Sequence, residues 1–117
     1  MEQKAHFIPI TSTDAIDQLL AQSTEVPILL FNHAPHCAVG RWAYQHVATL
    51  PYDVALVNVA EDTQVTHYIS LRTGVRHESP QILLLYQGTA SWTASHYALT
   101  QDAIAEALAA RLQDVGR

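Results

Sequence analysis

Short apolar runs alternate along the chain with stretches whose apolar residues recur at helical spacing. The runs predict strands, because a nearly unbroken apolar run is typical of a strand that is covered on both faces. The predicted strands are HFIPI at 6–10, VPILLFN at 26–32, DVALVNVA at 53–60 and the two arms of PQILLLYQGTASWTA at 80–94. Pro9 lacks the N–H that a ladder needs, so the first strand is expected at an edge. Gln87–Gly88 suits a hairpin turn.

Four segments predict helices because their apolar residues fall on one face. They are TSTDAIDQLLAQS at 11–23, the stretch 39–50, EDTQVTHYISLRTGV at 61–75 and LTQDAIAEALAARLQDVGR at 99–117. The predicted buried faces comprise Ala15, Ile16, Leu19 and Leu20; Val39, Trp42, Ala43, His46, Val47 and Leu50; Val65, Tyr68 and Ile69; and Ile104, Leu108, Leu112 and Val115. Pro51 prevents continuation of the second helix, and Gly74 suits the left-handed position after the third. Thr100 is the expected N-cap of the fourth, with Leu99 packed against Ile104.

The predicted elements follow the order β, α, β, α, β, α, β, β, α. Strands separated by helices predict a parallel start to the sheet, with right-handed crossovers, and the closing hairpin predicts an antiparallel end. The chain has 117 residues without an internal repeat or linker, so we expect one α/β domain over residues 1–117. Ligands of such open sheets collect at the carboxyl ends of strands, which points to residues 33–37.

Composition and charge exclude several classes of function. Six Lys and Arg residues against eleven Asp and Glu give a net charge of -5, and the basic residues are scattered. A nucleic-acid-binding surface is therefore not expected. The N-terminus MEQKAHFIPI lacks the apolar core of a signal peptide, and no apolar run approaches the ~18 residues of a membrane span. We expect a cytoplasmic protein without membrane association.

Cys37, the only cysteine, lies within ILLFNHAPHCAVGRWAYQHV at 28–47. It stands where a predicted central strand gives way to a helix, and the free N–H groups of a helix N-terminus favour a reactive thiolate. His33, His36 and Arg41 are close to it in sequence. The alternative is an inert thiol, because an unpaired Cys is often buried as a small hydrophobic residue. Without a second cysteine, any disulfide exchange must involve another molecule.

Seven histidines raise the question of a metal site. A zinc or iron site needs three or four ligands at suitable spacing, and neither a His-Glu-x-x-His nor a paired-cysteine motif occurs. Four side chains would have to converge in the folded chain to make one, namely His33, Cys37, His77 and His96. We expect no resident metal.

The layout of the chain resembles the thioredoxin fold over essentially its whole length. A cysteine starts the helix after a central strand, a later helix ends in Gly-Val, and a proline opens the strand before the closing hairpin. The resemblance implies a thioredoxin-like fold, which is a three-layer α/β/α arrangement around a mixed sheet. It also implies that Pro80 follows a cis peptide bond close to Cys37, and that the backbone of Ser79 is free to pair with a disulfide substrate. The segment CAVG departs from dithiol thioredoxins because it has no second cysteine.

Three segments resemble the monothiol bacilliredoxins, which are thioredoxin-like redox proteins of the bacillithiol system. They are FNHAPHCAVG at 31–40, TGVRHESPQ at 73–81 and WTASHYALT at 92–100, of which the last two are close to the family's pattern. The matching residues are Phe31, His33, Cys37, Val75, His77, Glu78, Ser79, Pro80, Gln81, Ala94, Ser95, His96 and Thr100. The departures surround the thiol, where the family's Lys, Ser, Pro and Ser are replaced by Asn32, Ala34, Ala38 and Gly40. These changes remove groups that favour a thiolate, and His36 is the expected compensation.

The bacilliredoxin resemblance implies a monothiol thiol-disulfide oxidoreductase that removes bacillithiol, or a similar small thiol, from protein mixed disulfides. Cys37 is then the nucleophile, bacillithiol is the co-substrate, S-thiolated proteins are the partners, and no cofactor is tightly bound. The implied substrate contacts are His33, His36, Arg76, His77, Ser79, Pro80, Ser95 and His96. Two other interpretations stay open: a redox-inactive thioredoxin-like binding module, and a glutaredoxin-like carrier that holds an iron–sulfur cluster between two chains.

Overall fold

A computed structural model of the chain describes residues 2–115 and contains the predicted elements in the predicted order. The strands are β1 (His6–Pro9), β2 (Ile28–His33), β3 (Asp53–Asn58), β4 (Gln81–Tyr86) and β5 (Thr89–Ser95). The helices are α1 (Thr13–Gln22), α2 (Ala38–Val47), α3 (Thr63–Thr73) and α4 (Gln101–Leu112), and a 3₁₀ turn spans His96–Ala98. The predicted last segment extends to 117, and its residues 116–117 lie outside the described part. Within that part, no helix is long and apolar enough to cross a membrane.

The five strands form one mixed sheet in the order β1-β3-β2-β4-β5. β3 pairs in parallel with β1 and β2, whereas β4 pairs antiparallel with β2 and β5. The parallel start, the antiparallel end and the edge position of β1 are therefore confirmed. β2 is central as predicted, although only its β3 side is parallel. At one edge of the sheet, Asn32 of β2 stands opposite Gln81 of β4, and Gln81 stands opposite Ser95 of β5.

Side chains that alternate along the strands bury two hydrophobic clusters, one on each face of the sheet. Phe31 and Ile82 belong to the cluster under α2 and α4, and Leu30 and Leu83 belong to the one under α1 and α3. The helices contribute Ala43, Val47, Ile104 and Leu108 to the first cluster, and Ile16, Leu20, Val65 and Ile69 to the second. All of β4 is buried because helices cover both of its faces. The three-layer α/β/α arrangement is confirmed.

The predicted signals for helix ends and for the hairpin are also confirmed. Gly74 follows α3 with φ of 72°, a left-handed conformation that glycine adopts at little cost. The Thr100 hydroxyl caps α4 by accepting the N–H of Ala103 at 3.2 Å. Gln87 and Gly88, with φ of 55° and 77°, form the tight turn between β4 and β5.

The predicted apolar stripe of the last helix is wrong in its final turn. Ile104 and Leu108 are buried, but Leu112 and Val115 are 49% and 40% exposed. The helix ends at Leu112, so Val115 leaves the helical periodicity and Leu112 lies outside the covered face. The buried part of α4 is therefore its first two turns.

Candidate active site

Cys37 lies in the turn between β2 and α2 and caps the first turn of the helix. Its backbone is extended, with φ of -118° and ψ of 152°, and its Sγ accepts the N–H of Gly40 at 3.2 Å. The turn is held at both ends, because β2 is paired on both sides and α2 packs on the sheet through Ala43 and Val47. The free N–H groups and the dipole of α2 favour negative charge on the sulfur. The residue is half-buried.

Gly40 packs tightly against the backbone of Ala34 across the same turn. A Cβ at position 40 would lie 1.8 Å from the Ala34 carbonyl oxygen, so any larger residue requires the turn to move. The same carbonyl lies 3.8 Å from the sulfur of Cys37. Position 40 is where the Cys-x-x-Cys motif of dithiol thioredoxins has its second cysteine. From the sequence alone, Gly40 only removes the hydroxyl of the family's serine. In the folded chain, the glycine is required because a side chain at this position would clash with the Ala34 carbonyl.

The cis proline predicted from the thioredoxin layout is confirmed, since the Ser79–Pro80 peptide bond is cis. Pro80 is buried directly before β4, and its carbonyl accepts the N–H of His96 at 3.0 Å. The start of β4 is paired with the end of β2 and with the end of β5. The cis proline, the corner at Ser95 and His96, and the turn that carries Cys37 therefore meet at one edge of the sheet.

Gln81 connects the loop before β4 to the strand that leads to the thiol. The residue is 2% exposed, and a buried amide of this kind needs hydrogen-bond partners. Its Oε1 accepts the N–H of Glu78 at 3.2 Å and the side-chain N–H of Asn32 at 3.1 Å. Its Nε2 donates to the carbonyl of Arg76 at 3.0 Å. One side chain thus sets the path of the loop that bears the predicted substrate contacts.

His33 ends β2, and its ring belongs to a stack of aromatic side chains. The ring of Tyr44 lies 4.8 Å from that of His33, and the ring of Phe7 stacks on Tyr44 at 4.9 Å. Burial lowers the pKa of His33 below its ordinary value of 6.5, which keeps the imidazole neutral at neutral pH. Its Nδ1 is buried and has no hydrogen-bond partner among residues 2–115.

Four predicted substrate contacts lie on the surface. They are His36 directly before Cys37, Arg76 and His77 in the loop between α3 and β4, and His96 in the 3₁₀ turn. Partial loss of hydration lowers the pKa of His77, and the carboxylate of Glu78 opposes this effect. These exposed side chains are available to a ligand, and their roles in substrate binding stay predictions.

An aromatic cluster flanks the helix that begins at Cys37. Trp42 is half-buried, and its ring centroid lies 5.0 Å from Tyr97 in an edge-on contact and 4.3 Å from His46. Tyr97 is 68% exposed and belongs to the 3₁₀ turn after β5. His96 opens that turn with φ of 55°, which is uncommon for a residue other than glycine. The sequence predicts Trp42 and His46 on the buried face of the second helix and does not pair Trp42 with Tyr97, because the two segments meet only in the folded chain.

The histidines do not converge on a metal site in the described part of the chain. Within residues 2–115, no group of three or more His, Cys, Asp and Glu side chains could hold a metal ion. His33, Cys37, His77 and His96 thus do not form a ligand set. His33 packs against aromatic rings instead, and His77 is exposed.

A mixed sheet between two helical layers, a thiol at the start of α2 and a cis proline before β4 define a protein of the thioredoxin fold. Solved structures agree: a proposed oxidoreductase with a thioredoxin fold superposes with a TM-score of 0.79 at 23% identity, over 86% of this chain and 92% of that chain. Thioredoxin from Fasciola hepatica gives 0.69 at 14% identity, over 88% and 97% of the two chains. A thioredoxin variant from Halobacterium salinarum gives 0.67 at 14% identity, over 95% of each chain. At these identities the likeness shows the fold.

The particular family follows from the sequence within that fold. The model of the monothiol bacilliredoxin BrxC family matches residues 8–104, a range that includes Cys37, Pro80 and His96. The chain belongs to the monothiol bacilliredoxin family. Family and fold together support a thiol redox function for this protein.

Proposed function

We propose that this protein removes bacillithiol from protein mixed disulfides through Cys37. The setting of the lone thiol carries the proposal: it caps α2, accepts the N–H of Gly40, and has no space for a side chain at the position of a resolving cysteine. Such a thiol must exchange with a thiol from another molecule. Membership of the monothiol bacilliredoxin family supports bacillithiol as that thiol.

In the first step, the thiolate of Cys37 attacks the bacillithiol sulfur of the mixed disulfide. A disulfide forms between Cys37 and bacillithiol, the original S–S bond breaks, and the client cysteine leaves as a thiolate that takes a proton from water. The rate of this exchange depends on the fraction of Cys37 present as thiolate and on access to the sulfur. The hydrogen bond from Gly40 and the dipole of α2 stabilise the negative charge on the attacking atom.

In the second step, the thiolate of another bacillithiol attacks the bacillithiol sulfur held on Cys37. Bacillithiol disulfide leaves, and Cys37 returns to the thiolate form. The net reaction converts the client mixed disulfide and one free bacillithiol into the client thiol and bacillithiol disulfide, so the second bacillithiol is the reductant. A separate reductase must then reduce bacillithiol disulfide, and the cycle needs no tightly bound cofactor.

The surrounding edge of the sheet supplies the substrate contacts in this proposal. The backbone of Ser79 and the ring of Pro80 align the disulfide, from a loop whose path Gln81 holds. Arg76 or His77 pairs with carboxylates of the small thiol. The remaining contacts are His33, His36, Ser95 and His96.

Purified protein and a bacillithiolated client provide the direct test. Without free bacillithiol, the wild-type protein is expected to remove the adduct from the client and to gain the mass of bacillithiol itself. Addition of bacillithiol should then release that mass. The matched control is Cys37→Ser, which replaces only the sulfur and is expected to do neither. In the native host after oxidant stress, intact-mass analysis should find the same adduct on the wild-type chain alone.

Other outcomes would favour the other two interpretations. If the wild-type chain gains no bacillithiol under an oxidant stress that modifies other proteins, the proposal is wrong. Alkylation of Cys37 no faster than that of a model thiol at neutral pH would favour the redox-inactive binding module. Iron retained through anaerobic purification would favour the cluster carrier.

A further inference from the structure

A surface cleft of about 220 Å³ lies beside the turn that carries Cys37. It is lined by His33, Pro35, Arg41, Tyr44 and Gln45. Pro35 precedes the thiol by two residues, and Arg41 follows it by one helical turn, with its backbone N–H donating to the Cys37 carbonyl at 3.1 Å. One helical turn rises by about 5.4 Å, so the thiol and the residues that line the cleft belong to the same short stretch of chain.

The cleft has an aromatic side and a polar opening. The ring centroid of Tyr44 lies 4.9 Å from that of Phe7 and 4.8 Å from that of His33, which gives the cleft its aromatic side. The exposed side chains of Arg41 and Gln45 provide donors at the opening.

The positive charge at this opening, on the guanidinium of Arg41, forms no ion pair with a carboxylate of residues 2–115. Arg72 pairs with Asp17, and Arg111 pairs with Asp114 at 3.5 Å. Lys4 and Arg76 also form no ion pair within residues 2–115, so the position of Arg41 in the lining of the cleft is what distinguishes it. A guanidinium presents paired N–H donors that match a carboxylate, so an unpaired Arg beside a cleft favours an anionic ligand.

We propose that this cleft binds a carboxylate of the small thiol while that thiol is attached to Cys37, with the guanidinium of Arg41 as the ionic partner. The ligand class is a low-molecular-weight thiol that bears carboxylates, as bacillithiol does. This inference rests on the proposed function and refines it, because it moves the main carboxylate contact from the 76–78 loop to α2. The aromatic side formed by Tyr44 and His33 packs against the apolar part of the adduct.

The test compares two disulfides that differ in charge. Rates of exchange with Cys37 are measured for bacillithiol disulfide, which is anionic, and for bis(2-hydroxyethyl) disulfide, which is neutral. We expect Arg41→Gln to slow the reaction with the anionic disulfide about tenfold, as for loss of one charged hydrogen bond, and to change the neutral reaction less than about twofold. Arg41→Lys should restore part of the anionic rate. Arg111→Gln changes the net charge equally and should leave both rates unchanged, which excludes a general effect of charge.

Each other result separates this inference from the proposed function. Equal slowing of both disulfides by Arg41→Gln would show that Arg41 acts on the thiol, which overturns the carboxylate contact. If Arg76→Gln slows only the anionic disulfide and Arg41→Gln slows neither, the carboxylate binds at the 76–78 loop and this inference is overturned while the proposed function stands. A wild-type protein that reacts with neither disulfide would overturn the proposed function and the inference with it.

Discussion

Asn32 donates its side-chain N–H to Oε1 of Gln81 at 3.1 Å, across the pair that the two residues form between β2 and β4. The bond connects the strand that leads to Cys37 with the loop that carries the cis proline, because the same Gln81 amide holds the backbone of that loop. Asn32 is fully buried, at a position where the family pattern has Lys. A neutral amide avoids the cost of burying a charge here, although its Oδ1 has no hydrogen-bond partner within residues 2–115.

A double-mutant cycle tests this connection. Gln81→Ala removes three hydrogen bonds, two of them to the backbone, and is expected to lower the free energy of unfolding by about 2–3 kcal/mol. Asn32→Ala should lower it by about 1–2 kcal/mol. The double variant should lose less than the sum by about 1 kcal/mol, because each single change already breaks the shared bond. Urea denaturation measures all four proteins.

Gln22→Ala, at an exposed position of α1, is the control for loss of a glutamine side chain. It is expected to change the free energy of unfolding by less than about 0.5 kcal/mol. Strict additivity of Asn32→Ala and Gln81→Ala would mean that the two amides stabilise the site independently, contrary to the geometry.

The contact of Gly40 with the Ala34 carbonyl predicts that the family's residue does not fit this chain. Gly40→Ser places a Cβ 1.8 Å from the carbonyl oxygen in the unrelaxed geometry, so the turn must shift. We expect a loss of about 2 kcal/mol or more in the free energy of unfolding, as for other overpacked sites. Alkylation of Cys37 should also slow, because the shift disturbs the N–H that the sulfur accepts. A variant with wild-type stability and alkylation rate would contradict the tight packing at position 40.

Ala38→Pro also introduces the residue that the family has at this position. In contrast to Gly40→Ser, we expect it to raise the free energy of unfolding. Ala38 is the first residue of α2, where proline is well tolerated because that N–H has no partner within the helix. Cys37 is extended, which is the conformation that a residue before proline needs. We expect an increase in the free energy of unfolding of up to about 1 kcal/mol, with exchange at Cys37 retained. A loss of more than about 1 kcal/mol in urea denaturation would count against the helix start at Ala38.

Hydrophobic periodicity and the Gly, Pro and capping residues at element ends predicted most of the fold, because these signals lie within a few residues of the structure that they specify. The six buried positions of β4, the cap at Thr100 and the left-handed Gly74 all have local signals. The prediction that the apolar stripe of the last helix is buried as far as Val115 was wrong, because periodicity does not reveal where the contact between that helix and the rest of the protein ends.

The sequence predicted individual residues of the site but not the contacts between them. The lone Cys37 and its helix start have local signals, and Pro80 was recognised through the layout of the family. The space at Gly40 and the bonds of Gln81 depend on the path of a turn and on strand register. The stack of Tyr44 on His33 joins a helix to a strand end in the same way. Contacts of this kind leave no pattern in a single sequence.

Burial of His33 predicts a pH-dependent stability. Its pKa is lowered in the folded chain, so below the ordinary value of 6.5 the unfolded state binds more protons than the folded state. The free energy of unfolding should therefore fall as the pH decreases through 6.5, whereas well above that value His33 is neutral in both states and contributes no slope. His77, whose pKa is also lowered, adds a dependence of the same sign.

His33→Phe isolates the part that His33 contributes. Phenylalanine keeps a ring against Tyr44 and cannot titrate, and no hydrogen bond of Nδ1 within residues 2–115 is lost. Denaturation between about pH 5 and pH 7.5 should give a shallower slope than in the wild type. An unchanged slope in His33→Phe would show that His33 takes up its proton equally well when folded, and hence that its ring is hydrated in solution.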